Sequence, residues 1–77
     1  MRNSGGSDAI RDMILRILED AKSPLSTLGV NYMINEAAGR MINLNTVKES
    51  LVSLVKSKKV SERLDDENGV TYYKLLS

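Results

Sequence analysis

The run from Ile42 to Val55, INLNTVKESLVSLV, constrains the fold more than any other part of the chain, because a helix start signal is followed at once by a clean amphipathic pattern. Asn43 suits the N-cap, since its side-chain oxygen can accept a hydrogen bond from the free backbone N–H of Asn45 or Thr46. Val47, Leu51, Leu54 and Val55 then recur at helical spacing and define one apolar face. The opposite face carries Asn45, Thr46, Lys48, Glu49, Val52, Ser53 and Lys56, mostly short polar groups with two cations. Two surroundings suit such a face. Most amphipathic helices simply turn their polar residues to solvent. A helix seated in the major groove of duplex DNA needs the same kind of surface, with hydrogen-bonding groups for base edges and cations for phosphates.

The segment that follows weighs toward the second. Val60 to Leu64 and Val70 to Leu76 are rich in β-branched and aromatic residues and flank Asp65-Asp66-Glu67-Asn68-Gly69, the pattern of a hairpin over about 60–75. Asn68-Gly69 supplies the two residues that most readily take positive φ in a tight turn. With a side-chain period of two, Thr71, Tyr73 and Leu75 share one face and Val70, Tyr72 and Lys74 the other, and Tyr73 and Leu75 are expected to point inward.

Charge supports the same division. The net charge of +1 hides an uneven distribution: residues 40 to 63 hold six basic and two acidic groups, while residues 64 to 77 hold one and three. The middle block contains Arg40, Lys48, Lys56, Lys58, Lys59 and Arg63, a cationic patch of the kind that meets phosphate. Lys56, Lys58 and Lys59 have a structural reading as well, because cations at a helix C-terminus complement its dipole.

The first half supplies the framework. Met1 to Gly6 is rich in Gly, Ser and Asn and reads as a mobile arm, so that 1–7 is expected to be an arm and 8–77 the domain. Ser7 or Asp8 is expected to cap a first helix whose Ile10, Met13, Ile14, Ile17 and Leu18 recur at helical spacing. That helix should end near Ala21, because Pro24 cannot continue the hydrogen-bond ladder and biases Ser23 away from helix. Leu25 then reads as a short strand contacting the hairpin. A second helix is expected from Ser26 or Thr27 to about Ala38, burying Val30, Met33, Ile34 and Ala37, with Gly39 as its stop.

A chain of 77 residues has room for one domain and buries only about 60% of its unfolded surface, so its core is thin. With no Phe or Trp, that core must come from Leu, Ile, Val and the four Met. The absence of Cys and His removes disulfides, thiolate chemistry and any plausible zinc site, and no cofactor is expected. No apolar run nears the ~18 residues that span a bilayer, and no apolar signal-type segment follows Met1, which predicts a cytoplasmic protein.

The run from Ala9 to Leu76 resembles the winged helix-turn-helix family of transcription regulators, especially the small stand-alone members common in archaea and in their viruses and plasmids. Ser23-Pro24-Leu25-Ser26 is similar to the family's entry to helix two, Ile42-Asn43-Leu44-Asn45-Thr46-Val47 to the opening of its recognition helix, Leu51-Val52-Ser53-Leu54-Val55-Lys56 to that helix's exit, and Gly69-Val70-Thr71-Tyr72-Tyr73-Lys74-Leu75 to its final strand. The resemblance implies an α+β fold of three helices with a C-terminal two-stranded wing. It implies sequence-selective binding of double-stranded DNA, with helix three, about 44–57, in the major groove. By position in the motif, Asn45, Thr46, Lys48, Glu49, Val52 and Ser53 would reach bases, and Asn43, Lys56, Lys58, Lys59 and Arg63 phosphates. Lys74 joins Arg63 on the wing strands, because Asp65, Asp66 and Glu67 make the wing tip too acidic to enter a minor groove. A homodimer through helix one or the termini is also implied. Two departures from the family stand out, the acidic tip and a segment from Leu25 to Ile42 about half a dozen residues longer than in compact bacterial members.

A winged-helix module that binds protein instead of DNA is the competing reading, since fold alone does not fix function. An enzyme fits poorly, because no phosphate-cradling Gly-rich loop occurs and Asp65-Asp66-Glu67 reads as a solvated turn. The length leaves little room for a small-molecule pocket.

Overall fold

The computed structural model describes residues 5–76, with side chains from residue 9 onward. Along the chain run α1 (Gly5–Asp20), β1 (Leu25–Ser26), α2 (Thr27–Ala38), α3 (Leu44–Lys56), β2 (Val60–Asp65) and β3 (Val70–Leu75). The three strands form one antiparallel sheet in the order β1-β3-β2. This is the expected α+β architecture, including the short strand at Leu25, which pairs with Tyr73.

Helix α1 begins earlier than expected. Ser7 and Asp8 already lie within it, so neither stands ahead of it as the cap. The apolar stripe that suggested a start at residue 8 marks only where burial begins, and a first turn makes no demand on that stripe. Of the anticipated arm, Met1 to Ser4 lie outside the described residues. The C-terminal end falls where Pro24 requires, with the N–H of Ala21 donating to the carbonyl of Ile17 at 2.9 Å.

Ser26 caps α2 by accepting from the N–H of Gly29 at 3.1 Å. Gly39 ends it in the left-handed region at φ 69°, its N–H donating to the carbonyl of Asn35, a conformation that costs glycine nothing. The buried stripe of α2 is narrower than the sequence indicated. Val30 and Ile34 are buried, whereas Met33 and Ala37 are exposed. Ala38, one turn on from Ile34, takes the remaining place against the core.

That core joins every layer: Ile10, Ile14, Ile17 and Leu18 of α1, Val30 and Ile34 of α2, Ile42 of the connecting turn, Val47, Leu51 and Leu54 of α3, Val60 of β2 and Tyr73 of β3. The described methionines do not contribute as expected. Met13 packs only at the margin, Met33 is exposed and Met41 is 83% exposed. Branched aliphatic residues at helical spacing fill this small interior without needing a flexible gap-filler.

The wing turn also departs from expectation. Asp66 to Gly69 form a four-residue loop between strands in which Asp65 lies opposite Val70, and only Gly69 has positive φ, at 69°; Asn68 does not. Two carboxamide or carboxylate groups shape it, Asp65 Oδ1 accepting from the N–H of Glu67 and Asn68 Oδ1 from that of Val70, both at 2.9 Å. With the N–H of Gly69 closing onto the carbonyl of Asp65 at 2.8 Å, the loop follows a helix-like path that a two-residue turn could not.

Candidate nucleic-acid interface

Asn43 caps α3 as its sequence context requires. Its Oδ1 accepts from the N–H of Asn45 at 2.7 Å, and the N–H of Val47 closes the first turn on the carbonyl of Asn43 at 3.2 Å. With the oxygen engaged in the cap, the exposed Asn43 offers its amide N–H groups to a ligand. Val47, Leu51 and Leu54 are buried, and Ser50, a turn from both Val47 and Leu54, is buried with them. That orientation fixes the outer face. Asn45, Glu49, Val52 and Lys56 follow one another at three- and four-residue steps along its middle, all exposed. Lys48 flanks this stripe on one side, and Thr46 and Ser53, half-buried, flank it on the other.

The turn that leads into this helix is held by a pair of asparagines on α2 that periodicity did not single out. Asn31 Nδ2 donates to the carbonyl of Ile42 at 2.9 Å, and Asn35 Oδ1 accepts from the N–H of Ile42 at 2.7 Å. Asn35 Nδ2 lies 3.4 Å from Asn31 Oδ1, so the two side chains form one unit. They hold both main-chain polar groups of a residue buried in the turn just ahead of α3. Asparagine is a poor helix-interior residue, and two of them four apart in α2 are the signal in the sequence that could have exposed this role.

The cations of the middle block do not form one surface. Arg63 and Lys74 share the outer face of the hairpin, Arg63 opposite Tyr72 and Lys74 opposite Ser61, and line a shallow groove of about 740 Å³ with Pro24 and the acidic tip. Tyr72 is fixed there by Asn68 Nδ2, which donates to its hydroxyl at 3.2 Å. Lys58 and Lys59 lie elsewhere. They follow the C-cap of α3 and line a second groove, about 390 Å³, with Arg16 and Glu19 of α1 and with Leu75 and Leu76. Arg40 is exposed in the turn ahead of α3.

Three helices, a short strand paired with a terminal hairpin, and a clamped turn between α2 and α3 define a winged helix-turn-helix domain. No protein-family model matches the sequence, and no curated protein matches it either. Solved structures share the fold. The ferric uptake regulator Fur of Helicobacter pylori, described with three functional metal-binding sites, is 19% identical with a TM-score of 0.80 over 97% of this chain and 46% of its own. FurB of M. tuberculosis, a zinc uptake regulator, is 27% identical with a TM-score of 0.75 over 92% of this chain and 54% of its own. HOP2, described for its DNA recognition and protein interaction domains, is 21% identical with a TM-score of 0.74 over 87% of this chain and 98% of the solved one. The chain therefore spans about half the length of the two metal-uptake regulators. Among the described residues no helix is long and apolar enough to cross a membrane.

Proposed function

We propose that the chain is a sequence-selective, duplex-DNA-binding transcription regulator that acts as a cytoplasmic homodimer, of the small stand-alone kind found in archaea and their viruses and plasmids. The observation that carries this reading is the exposed outer stripe of α3, Asn45, Glu49, Val52 and Lys56, flanked by Lys48 and led into by the turn that Asn31 and Asn35 hold. In this reading α3 enters the major groove. Asn45, Thr46, Lys48, Glu49, Val52 and Ser53 meet base edges, with asparagine suited to adenine, lysine to guanine, glutamate to the cytosine amino group, and Val52 or Thr46 to a thymine methyl. Asn43, Lys56, Arg63 and Lys74 meet phosphates, and Lys58 and Lys59 add to the positive field from the far end of α3. Metal sensing is not part of the proposal. The chain has neither His nor Cys, and among the described residues no group of three or more His, Cys, Asp or Glu could hold an ion.

Selection from random-sequence duplexes at two salt concentrations tests it. One preferred sequence should emerge, and log affinity should fall against log salt with a slope of about −3 to −5 per subunit, as expected for three to five phosphate contacts. A protein-interaction module would give a flat response with the fold intact. That second reading draws its support from Leu28 and Tyr32, exposed one turn apart on α2 at 68% and 63%.

A further inference from the structure

We infer that β2, the open edge of the sheet, pairs antiparallel with β2 of a second copy, so that two three-stranded sheets become one continuous sheet. In the order β1-β3-β2, β2 has β3 on one side and no strand on the other among the described residues. The carbonyl of Lys59 accepts from the N–H of Leu76, and that of Asp65 from the N–H of Gly69, so the odd-numbered residues of β2 turn their main-chain groups toward β3. Directions alternate along a strand, which leaves the N–H and C=O groups of Val60, Glu62 and Leu64 facing out along the edge. A six-residue edge of this kind is a template for another strand.

The charges say which strand it fits. The segment begins at its base with Lys58 and Lys59 and ends at its tip with Asp65, Asp66 and Glu67. At about 3.3 Å per residue the paired hairpin holds the two clusters some 20 Å apart, so within one copy they cannot meet. Two copies laid antiparallel bring each base to the other's tip, and a two-fold axis does this at both ends at once.

Register follows from the same charges. Residues opposite one another across such an axis must share a face of the sheet. Centring the pairing on Glu62 sets Lys59 opposite Asp65 at each end, brings the turn residues Lys58 and Asp66 to the same two ends, and lays Leu64, 57% exposed in the single chain, beside Val60. Centring it on Arg63 sets Val60 against Asp66 and the two Arg63 side chains against each other. Centring it on Ser61 sets Lys59 against Arg63. The Glu62 register is the best of the three, and its cost is the pair of Glu62 carboxylates facing each other across the axis. Lys58 itself sits at φ 61°, a left-handed position where glycine would be unstrained, and the chain keeps a cation there.

This inference rests on the dimer in the reading above and not on DNA binding, so it is tested without DNA, by sedimentation of the full chain. The protein should dimerise at low salt and dissociate as salt rises. Lys58→Glu with Lys59→Glu, and separately Asp65→Lys with Asp66→Lys, should each weaken self-association about tenfold or more, while an equimolar mixture of the two variants regains it. Lys58→Gly should raise the unfolding midpoint by about 4 °C by relieving strain and yet weaken association, a pair of opposite signs that a misfolded variant cannot produce. Glu62→Gln should tighten it. A mixture that stays monomeric, variants that dimerise like the wild type, or a wild type that never dimerises would each overturn the inference, and duplex binding by the wild type, measured separately, reports on the reading above.

Discussion

Leu51→Ala is expected to destabilise the protein by about 2 to 5 kcal/mol, measured as a fall in the urea midpoint with the slope of the transition unchanged. Leu51 is fully buried, in a core cluster that also contains Ile14, Ile34 and Val47, where α1, α2 and α3 converge. Removing its branched end there leaves a cavity, and the described methionines, which could flex to fill one, lie at the margin or outside the core. A domain this small has a total stability of only a few kcal/mol, so the variant should be largely unfolded at 37 °C. Lys48→Ala and Asn45→Ala form the contrasting pair. Both residues are exposed on the outer face of α3, so their loss should change stability by less than about 0.5 kcal/mol, while each costs about 1 to 3 kcal/mol in specific duplex affinity where a base contact is lost. Equal destabilisation in all three variants would mean that the two faces of α3 have been exchanged.

The contrast works because the face of α3 was legible before any coordinates. Val47, Leu51 and Leu54 repeat at helical spacing, Asn43 caps, and the structure keeps both features without revision. Helix α2 was less legible. Its boundaries follow from Ser26 and Gly39, but Met33 and Ala37 are apolar like Val30 and Ile34, and composition could not say which pair turns inward; in the structure the helix buries Val30 and Ile34 and turns Asn31 and Asn35 to Ile42. The wing tip failed for a different reason. Asn68-Gly69 is a strong local turn signal, yet Asp65 and Asn68 each capture a backbone N–H two residues on, and that pair of side-chain bonds selects the longer loop. The cationic block was visible as a count along the chain, while its division between the hairpin face and the groove beside α1 needed the third dimension. The Asn31–Asn35 clamp escaped for the same reason, since both of its bonds to Ile42 span seven or more residues.

That clamp carries the other large expected effect. Asn35→Leu conserves side-chain volume but removes the acceptor for the N–H of Ile42, a residue only 6% exposed, and Ile42 cannot turn that N–H to water without leaving the core. A buried donor left unpaired costs about 1 to 3 kcal/mol, so the urea midpoint should fall by that amount. Asn31→Leu removes the partner of the Ile42 carbonyl and should cost less, because a carbonyl left without one bond is more easily tolerated than an orphaned N–H. Because Asn31 and Asn35 also touch each other, the double variant should lose less than the sum of the two. The functional consequence separates the clamp from ordinary packing. Ile42 immediately precedes the cap of α3, so freeing it lets the start of that helix shift, and a displacement of about 1 Å is enough to spoil contacts that depend on hydrogen-bond geometry. Asn35→Leu should therefore weaken specific duplex binding even at temperatures where the variant is fully folded, and should weaken nonspecific binding much less, since phosphate contacts tolerate misalignment better than base edges do. If specific and nonspecific affinity fell together in the folded variant, the clamp would be serving stability alone and the aim of α3 would be set by the burial of Val47, Leu51 and Leu54.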